Sequence, residues 1–566
     1  MSGVDTLETT AATADGEGEQ MTMTVAEAVG RALAERGVAH VFGVVGSGNF
    51  MVTHGLVSSG VPFTAARHEM GAACMADSYS RLTDRVAAVS LHQGCGLTNA
   101  MTGIGEATKS NTPLLVITGD TAVGQEQGNF VIDQDALVAA VGAVPRRIHS
   151  SATAVADAVA AYDIAVRDRT TVVLSLPVDL QEEIWPEQPA PAPAPRVIPA
   201  GASAEALAEL ARILTAAQRP VILGGRGARR AAAELRALGE QTGAILVPSA
   251  GARGLFTDEE WALDVMGGFA TPGARELIQE ADVLVAFGAA LNQWTAHHGT
   301  LTAQPTLVQV DDRREAFGKH RGVSLGIVGD TASVASAVTG MLAAQEAPRT
   351  GLRTPETRAR IRRIRHWVDD LPAERHSPGH IGAGALTAAL DAMLPIERVV
   401  VPDGGNVNMY PGAFLRVPDE RGFVMPLSFQ SIGLGLANGI GAAIARPDRM
   451  AVVGTGDGSF LMNAVELDTA VKAGLGMIIV VYNDEAYGAE VHLFADHPEK
   501  QAIVRFPETD IASIARGYGC AGVTVRSLDD LTGVRAWLDG PRDRPLVVDA
   551  KITGDASPLM RENLAH

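Results

Sequence analysis

The sequence is poor in cysteine, in aromatic residues and in positive charge. Its three cysteines, Cys74, Cys95 and Cys520, stand far apart among 566 residues and form no CxxC pair. That usage excludes a disulfide mini-protein and a CxxC metal site, and it fits a reducing cytoplasm. Aromatic residues make up only 4%, so cores of small and aliphatic side chains are expected. Lys and Arg number 46 against 65 Asp and Glu, a formal net charge of −19, which repels rather than binds the phosphate backbone of nucleic acid. No stretch reaches about 18 consecutive apolar residues, so no membrane span is expected. The opening MSGVDTLETTAATADGEGEQ has neither a basic nor an apolar signal region and reads as a disordered tail, residues 1–20.

What is present is the balance of a globular chain, with 46% hydrophobic and 20% charged residues. At about 150 residues per domain, the length predicts three or four domains. Short β-rich apolar runs alternate with Ala-rich helical stretches in three segments. That rhythm predicts βα units and an α/β fold of three doubly wound parallel-sheet domains. The first domain is expected over residues 21–186. It opens with the helix TVAEAVGRALAERGV, which places Val25, Ala28, Val29, Ala32 and Leu33 on one face, and it holds AAVSL, PLLVITG and TVVLSLP as strands. Alternating Ala and Pro in EQPAPAPAPRVIPAG, residues 187–201, predicts an extended linker. The central domain, 202–345, carries PVILGG, AILVPSAG, DVLVAFGAAL and TLVQVDD. A charged, partly helical connection spans 346–377. The third domain, 378–552, carries RVVVPDGG, GFVMPLS, RMAVVGTGDGSF, GMIIVVYNDEAYG and PLVVDAKI, and a tail is expected over 553–566.

Ligands of open parallel sheets bind at the carboxyl ends of strands, so the loops there carry the functional reading. GTGDGSF, residues 454–460, directly follows the strand RMAVV. Two glycines flank Asp457, which lets the backbone approach a ligand and offers a hard carboxylate oxygen to Mg²⁺. The next strand ends in YNDEAYG with Asp484, one crossover further along the same sheet edge, an arrangement suited to one metal-diphosphate.

GDGSFLMN and VVYNDEAYG together resemble the thiamine diphosphate motif of the superfamily of acetolactate synthase, pyruvate decarboxylase and benzoylformate decarboxylase. The resemblance extends from about residue 22 to 550 through three further segments in family order. These are RHEMGAACMADSYSRLT at 67–83, HQGCGLTNAMTGIGEA at 92–107 and SIGLGLANGIGAAIA at 431–445. It implies a pyrimidine-binding first domain, a central domain and a diphosphate-binding third domain. It also implies a thiamine diphosphate- and Mg²⁺-dependent enzyme acting on a 2-oxo acid or acyl substrate. Shared sites would make it a homodimer, and a dimer of dimers would make it a homotetramer.

Carried over residue by residue, the resemblance implies Asp457, Asp484 and the Ala486 carbonyl as Mg²⁺ ligands. The family usually has Asn where Asp484 stands, so this site gains a negative charge. Gly458 and Ser459 would hold the diphosphate, with Gly405 and Asn406 of PDGGNVN as its opposite wall and Gly488 closing the motif. Ile432 matches the bulky residue that bends the cofactor. Glu69 matches the glutamate that hydrogen bonds the aminopyrimidine ring. Ser47 of VVGSGNF and His92 match polar catalytic positions of benzoylformate decarboxylase, and His is the natural proton shuttle near neutral pH. Gln134 resembles a substrate-facing glutamine of acetolactate synthases. Glu490 matches the proton-transfer glutamate of pyruvate decarboxylases and a glutamate of acyl-CoA lyases, and it tilts the reading from synthase toward decarboxylase or lyase. His297 and His298 are not carried over, because a benzoylformate decarboxylase histidine falls on Thr295.

In the central domain GGRGAR, residues 224–229, is not GxGxxG and lacks a suitably placed acid, which argues against NAD. FAD or ADP occurs in this domain elsewhere in the superfamily, and the expectation here is an empty domain. The alternative enzyme is a 2-hydroxyacyl-CoA lyase. A catalytically inactive family member and an NAD dehydrogenase are the remaining readings, opposed respectively by Glu69 with the metal motif and by the missing nicotinamide fingerprint.

Overall fold

The computed structural model describes residues 23–564 apart from 190, 193, 196, 345–346, 370 and 376. The tail expected over 1–20 lies outside the described residues. Three wholly parallel sheets follow one another along the chain. The first contains β1 (Val41–Gly43), β2 (Phe63–Ala65), β3 (Ala87–Leu91), β4 (Leu114–Asp120), β5 (Val144–Arg147) and β6 (Thr171–Pro177), in the order β2-β1-β3-β4-β6-β5. The second contains β7 (Pro220–Gly224), β8 (Ile245–Pro248), β9 (Val283–Phe287), β10 (Thr306–Asp311) and β11 (Leu325–Val328), ordered β11-β10-β9-β7-β8. The third contains β12 (Arg398–Pro402), β13 (Met450–Gly456), β14 (Ile478–Asn483), β15 (Ala521–Val525) and β16 (Leu546–Lys551), ordered β12-β13-β14-β16-β15. Among the described residues no helix is long and apolar enough to cross a membrane.

Local chemistry sets the first helix, Val25–Arg36. Thr24 and Glu27 form a reciprocal capping box at its start, and Gly37 ends it at φ 116°. Val25, Ala28, Val29 and Leu33 are buried, as the spacing predicts, while Ala32 is partly covered. Buried runs such as AAVSL and TVVLSLP form β3 and β6, covered on both faces like strands of any doubly wound sheet. GFVMPLS forms no strand. It meets β12 only through a Val400–Phe423 bridge, and Pro426 has no N–H with which to extend the ladder.

The two outer domains share one core. The helix Glu69–Thr83 of the first packs on the helix Gly435–Ala445 of the third, and Ala72, Ala76, Leu97, Leu434, Ile440 and Val453 belong to a single buried cluster. Contact is close enough that a Cβ on Gly441 would overlap the Met75 carbonyl. Beyond Ile552 the chain does not trail off. Ser557 is buried and the helix Pro558–Leu564 follows, with Glu562 paired to Arg275 and to His297 Nε2 at 3.2 Å, which ties the C-terminal segment to the central domain.

Candidate active site

Strand ends of the first sheet gather one cluster. Glu69 is the first residue of the helix Glu69–Thr83, and its Oε2 accepts a hydrogen bond from Asn99 Nδ2 at 3.0 Å. Gly96 lies between Glu69 and His92: a Cβ there would sit 3.1 Å from His92 Cβ and 3.5 Å from Glu69 Oε1. His92 follows β3. Its Nδ1 donates to the Gln93 carbonyl at 2.9 Å, which leaves Nε2 as the ring's acceptor in the neutral form. Phe130 closes one side of the ring at 4.8 Å between centroids. The turn after β1 reaches the same imidazole, since a Cβ on Gly46 would lie 2.7 Å from His92 Cδ2, and Ser47 is exposed on that turn.

Gln134 joins this cluster in an unexpected way. It is 2% exposed. Its Oε1 accepts from the Gly94 N–H at 2.9 Å, and its Nε2 donates to the Gly119 carbonyl and Ser175 Oγ, each at 3.2 Å. Both ends of the amide thus brace the turn after His92.

Strand ends of the third sheet gather the second cluster. Asp457 starts the short helix Asp457–Asn463 after β13 and is 4% exposed. Its Oδ1 is buried without a hydrogen-bond partner. Asp484 follows β14, and Gly488 opens the helix Gly488–Leu493 directly against it, leaving no room for a Cβ beside Asp484 Oδ2. Burial pushes the Asp457 carboxyl up to about 6. Burial, with the Asp457 charge added, pushes Asp484 up to about 8. Two acids raised in this way, one with an orphaned oxygen, fit a divalent cation that would satisfy both. Among the described residues no group of three or more His, Cys, Asp or Glu could hold a metal ion, so such a cation would draw its other ligands from backbone, water or cofactor oxygens. Ala486 is buried and bridges to Arg505. Tyr487 covers Gly458, where a Cβ would come within 2.6 Å of its ring, and Ser459 is 6% exposed.

Gly405 takes φ 96°, a conformation glycine adopts without strain, and a Cβ there would meet nothing within 4 Å. Asn406 departs from the expected ligand wall: its Nδ2 donates to the Asp555 carbonyl at 2.9 Å and its Oδ1 accepts from Ser557 N–H at 2.9 Å. Its side chain holds the C-terminal segment, leaving its backbone for a ligand. Ile432 lies against the Gly404 backbone. Glu490 sits in the first turn of Gly488–Leu493, partly buried, and its carboxylate has no hydrogen bond or ion pair among the described residues.

Sequence reasoning missed Asp403. Its buried carboxylate accepts from the N–H groups of Gly404 (2.7 Å), Gly433 (3.0 Å) and Gly435 (3.0 Å) and from Thr455 Oγ1 (3.0 Å), fixing the Ile432 turn to the ends of β12 and β13. Its position before two glycines at a strand end was the available signal. Asn99, within a recognised segment, was passed over as well.

Fold and site together define a three-domain α/β enzyme with acidic and acid–base residues at the strand ends of both outer sheets. The chain belongs to the thiamine pyrophosphate enzymes. Residues 23–141 match the N-terminal TPP binding domain of that family, 207–338 its central domain and 403–550 its C-terminal TPP binding domain. A Pseudomonas aeruginosa protein named probable 2-ketoarginine decarboxylase is 30% identical over 530 residues, covering 90% of this chain and 91% of the relative. A sulfoacetaldehyde acetyltransferase of Alcaligenes xylosoxydans xylosoxydans is 27% identical over 547 residues, covering 90% and 89%. An acetolactate synthase of Mycobacterium bovis is 26% identical over 563 residues, covering 94% and 89%.

Proposed function

We propose that the chain is a thiamine diphosphate- and Mg²⁺-dependent decarboxylase of a 2-oxo acid. The observation that carries this reading is the pair Asp457 and Asp484, raised by burial against the weaker pull of Lys551 and Arg505, with one Asp457 oxygen left without a hydrogen-bond partner among the described residues. Asp457, Asp484 and the Ala486 carbonyl would hold Mg²⁺. Gly458, Ser459, Gly405 and the Asn406 backbone would flank the diphosphate, with Gly488 leaving space beside Asp484. Ile432 would support the bend of the cofactor, and Glu69 would hold a proton at its aminopyrimidine. Bound thiamine diphosphate supplies the nucleophilic carbon and the electron sink that C–C cleavage needs. His92 Nε2 would take or give a proton on the substrate side, with Ser47 on the neighbouring turn and Gln134 bracing the turn after His92. Glu490 would deliver the proton that releases an aldehyde.

A 2-hydroxyacyl-CoA lyase would ask the central domain for a nucleotide site. The arginines of GGRGAR point elsewhere: Arg226 donates to the Ser110 carbonyl, and Arg229 to the Arg81 (3.1 Å) and Gly251 (3.0 Å) carbonyls. That supports decarboxylation over the lyase reading. Exposed apolar side chains flank both clusters, with Phe130 at 45%, Leu461 at 43% and Met462 at 49%. Such a surface supports a contact between copies of the chain, in line with a homodimer with shared sites.

Purified protein with thiamine diphosphate and Mg²⁺ should release CO₂ from at least one member of a 2-oxo acid panel. The panel includes 2-ketoarginine, after the relative's name, and is scored for acyloin products as well. Cofactor binding without CO₂ from any member, alongside cleavage of a 2-hydroxyacyl-CoA, would turn the assignment to the lyase.

A further inference from the structure

Two buried glutamates outside the site just described reach from one outer domain into the other. Glu466, in the third domain, is 0% exposed. Its Oε1 accepts from the backbone N–H groups of Arg67 at 3.2 Å and His68 at 2.9 Å, and its Oε2 from Thr469 Oγ1 at 2.6 Å. Arg67 and His68 immediately precede Glu69. The Arg67 side chain is drawn to the same segment by an ion pair with Asp468.

Glu106, in the first domain, is also 0% exposed. Its carboxylate accepts from the backbone N–H groups of Ser428 at 3.0 Å and Phe429 at 2.7 Å, and from Ser110 Oγ at 3.0 Å. Those amides belong to the turn that leads into Ile432. Arg81 Nη1 lies 3.9 Å from Glu106 and 3.2 Å from Asp77, one guanidinium shared by two buried carboxylates, and burial with the Asp77 charge holds the Glu106 pKa above its ordinary value.

The arrangement is reciprocal. Each domain closes, with one carboxylate, the turn by which the other presents a cofactor-facing side chain. A carboxylate suits the task because it accepts from two converging amides at once, and charge-assisted bonds of this kind are short and strong. Its removal would leave the two converging backbone N–H groups of each turn without their shared acceptor. The Glu466 contact is also tight: a Cβ on Gly71 would overlap Glu466 Oε1.

We propose that Glu466 and Glu106 are a reciprocal pair of positioning residues, Glu466 setting Glu69 and Glu106 setting the Ile432 turn, so that the docking of a chain's two outer domains sets the side chains each of them contributes to a site. This rests on the reading of Glu69 and Ile432 as cofactor-facing. Neither glutamate touches cofactor or substrate.

The test compares the full-length wild type with Glu466→Ala, Glu466→Gln, Glu106→Ala and Glu69→Ala, by hydrogen exchange of the cofactor-free protein and by turnover of the loaded enzyme. Glu466→Ala should speed exchange at Arg67 and His68 by about tenfold or more and leave 427–432 unchanged, the size expected for a lost charge-assisted bond. Glu106→Ala should do the reverse. Turnover of Glu466→Ala should fall by about 10- to 100-fold, as for a misplaced catalytic group, with thiamine diphosphate affinity held within about threefold. Glu466→Gln should recover most of both, since its amide oxygen still accepts and its NH₂ can donate to Thr469. If an alanine variant does not fold, Glu466→Asp and Glu106→Asp, which draw the carboxylate back by one methylene, are read for the same pattern.

Unchanged exchange at Arg67 and His68 overturns the proposal. So does faster exchange spread evenly over the helices Glu69–Thr83 and Gly435–Ala445, which is what a merely structural contact would give. Turnover that depends on Glu69 but not on Glu466 overturns it while leaving the function intact. Turnover indifferent to Glu69 itself strikes the functional reading instead, and the exchange pattern then decides the clamp without any substrate.

Discussion

Asn99 Nδ2 donates to Glu69 Oε2 at 3.0 Å, so that one helix, Cys95–Lys109, fixes the carboxylate presented by another, Glu69–Thr83. The bond constrains which oxygen of Glu69 is left to face a ligand. It also explains why the two family segments at 67–83 and 92–107 belong together: each supplies one partner.

Asn99→Ala should therefore lower turnover without moving cofactor affinity. A loss of about tenfold is expected, smaller than the loss of about 100-fold or more for Glu69→Gln, because the carboxylate stays but is no longer held. Exchange of the thiazolium proton of bound cofactor, followed by NMR, reads the effect directly. Equal exchange rates in wild type and Glu69→Gln would remove Glu69 from its role.

Cofactor should bind only with a divalent cation, since Asp457 and Asp484 would otherwise repel a diphosphate. Asp457→Ala should abolish binding at ordinary concentrations. Asp484→Asn keeps an oxygen donor and removes one of two repelling acids, so it should bind and should also melt higher than wild type when cofactor-free. Calorimetry with and without EDTA checks the first expectation and a thermal melt the second; unchanged affinity in EDTA would falsify the cation site.

Glu490→Leu should slow aldehyde release and raise the share of acyloin in the products. An apolar side chain there removes the proton donor and leaves the cleaved carbon free to attack a second carbonyl. Product analysis by chromatography decides it, and a variant with wild-type turnover and product ratio would return the reading to a synthase.

Acid should weaken the first domain through His40. It is 8% exposed, stacks on Phe42 at 4.4 Å between centroids and shares a 2.8 Å hydrogen bond with Thr64, and burial lowers its pKa to about 4 from an ordinary 6.5. The unfolded chain takes up this proton as pH falls below 6.5, while the folded chain refuses it until about pH 4. Stability is full above pH 6.5 and is lost as pH falls toward 4, by on the order of 3 kcal/mol over that window. His40→Gln should flatten the fall in melting temperature between pH 7 and 4.5, scored against wild type at each pH.

The sequence by itself determined what contiguous residues can express. A central strand such as β4, buried on both faces, is an unbroken apolar run, and GTGDGSF carries its glycines and acid within one loop. Those signals are local, so the three sheets and the candidate residues at their strand ends were legible. The edge strands β2, β5, β11 and β15 were not, because they are only partly buried and their apolar pattern is correspondingly weak, and neither was β1, which is buried but only three residues long. Tertiary structure alone decided the rest. Gln134 braces the turn after His92, and Asn406 turned its amide to a C-terminal segment that the sequence presented as a tail. Glu106 and Glu466 look like any helical glutamate along the chain, yet each is buried against backbone amides of the other outer domain. The physical reason is common to all four. A polar side chain records its own donors and acceptors, but its partner is whichever group folding brings within about 3 Å, and no local pattern encodes an approach between residues that lie from 15 to 398 positions apart.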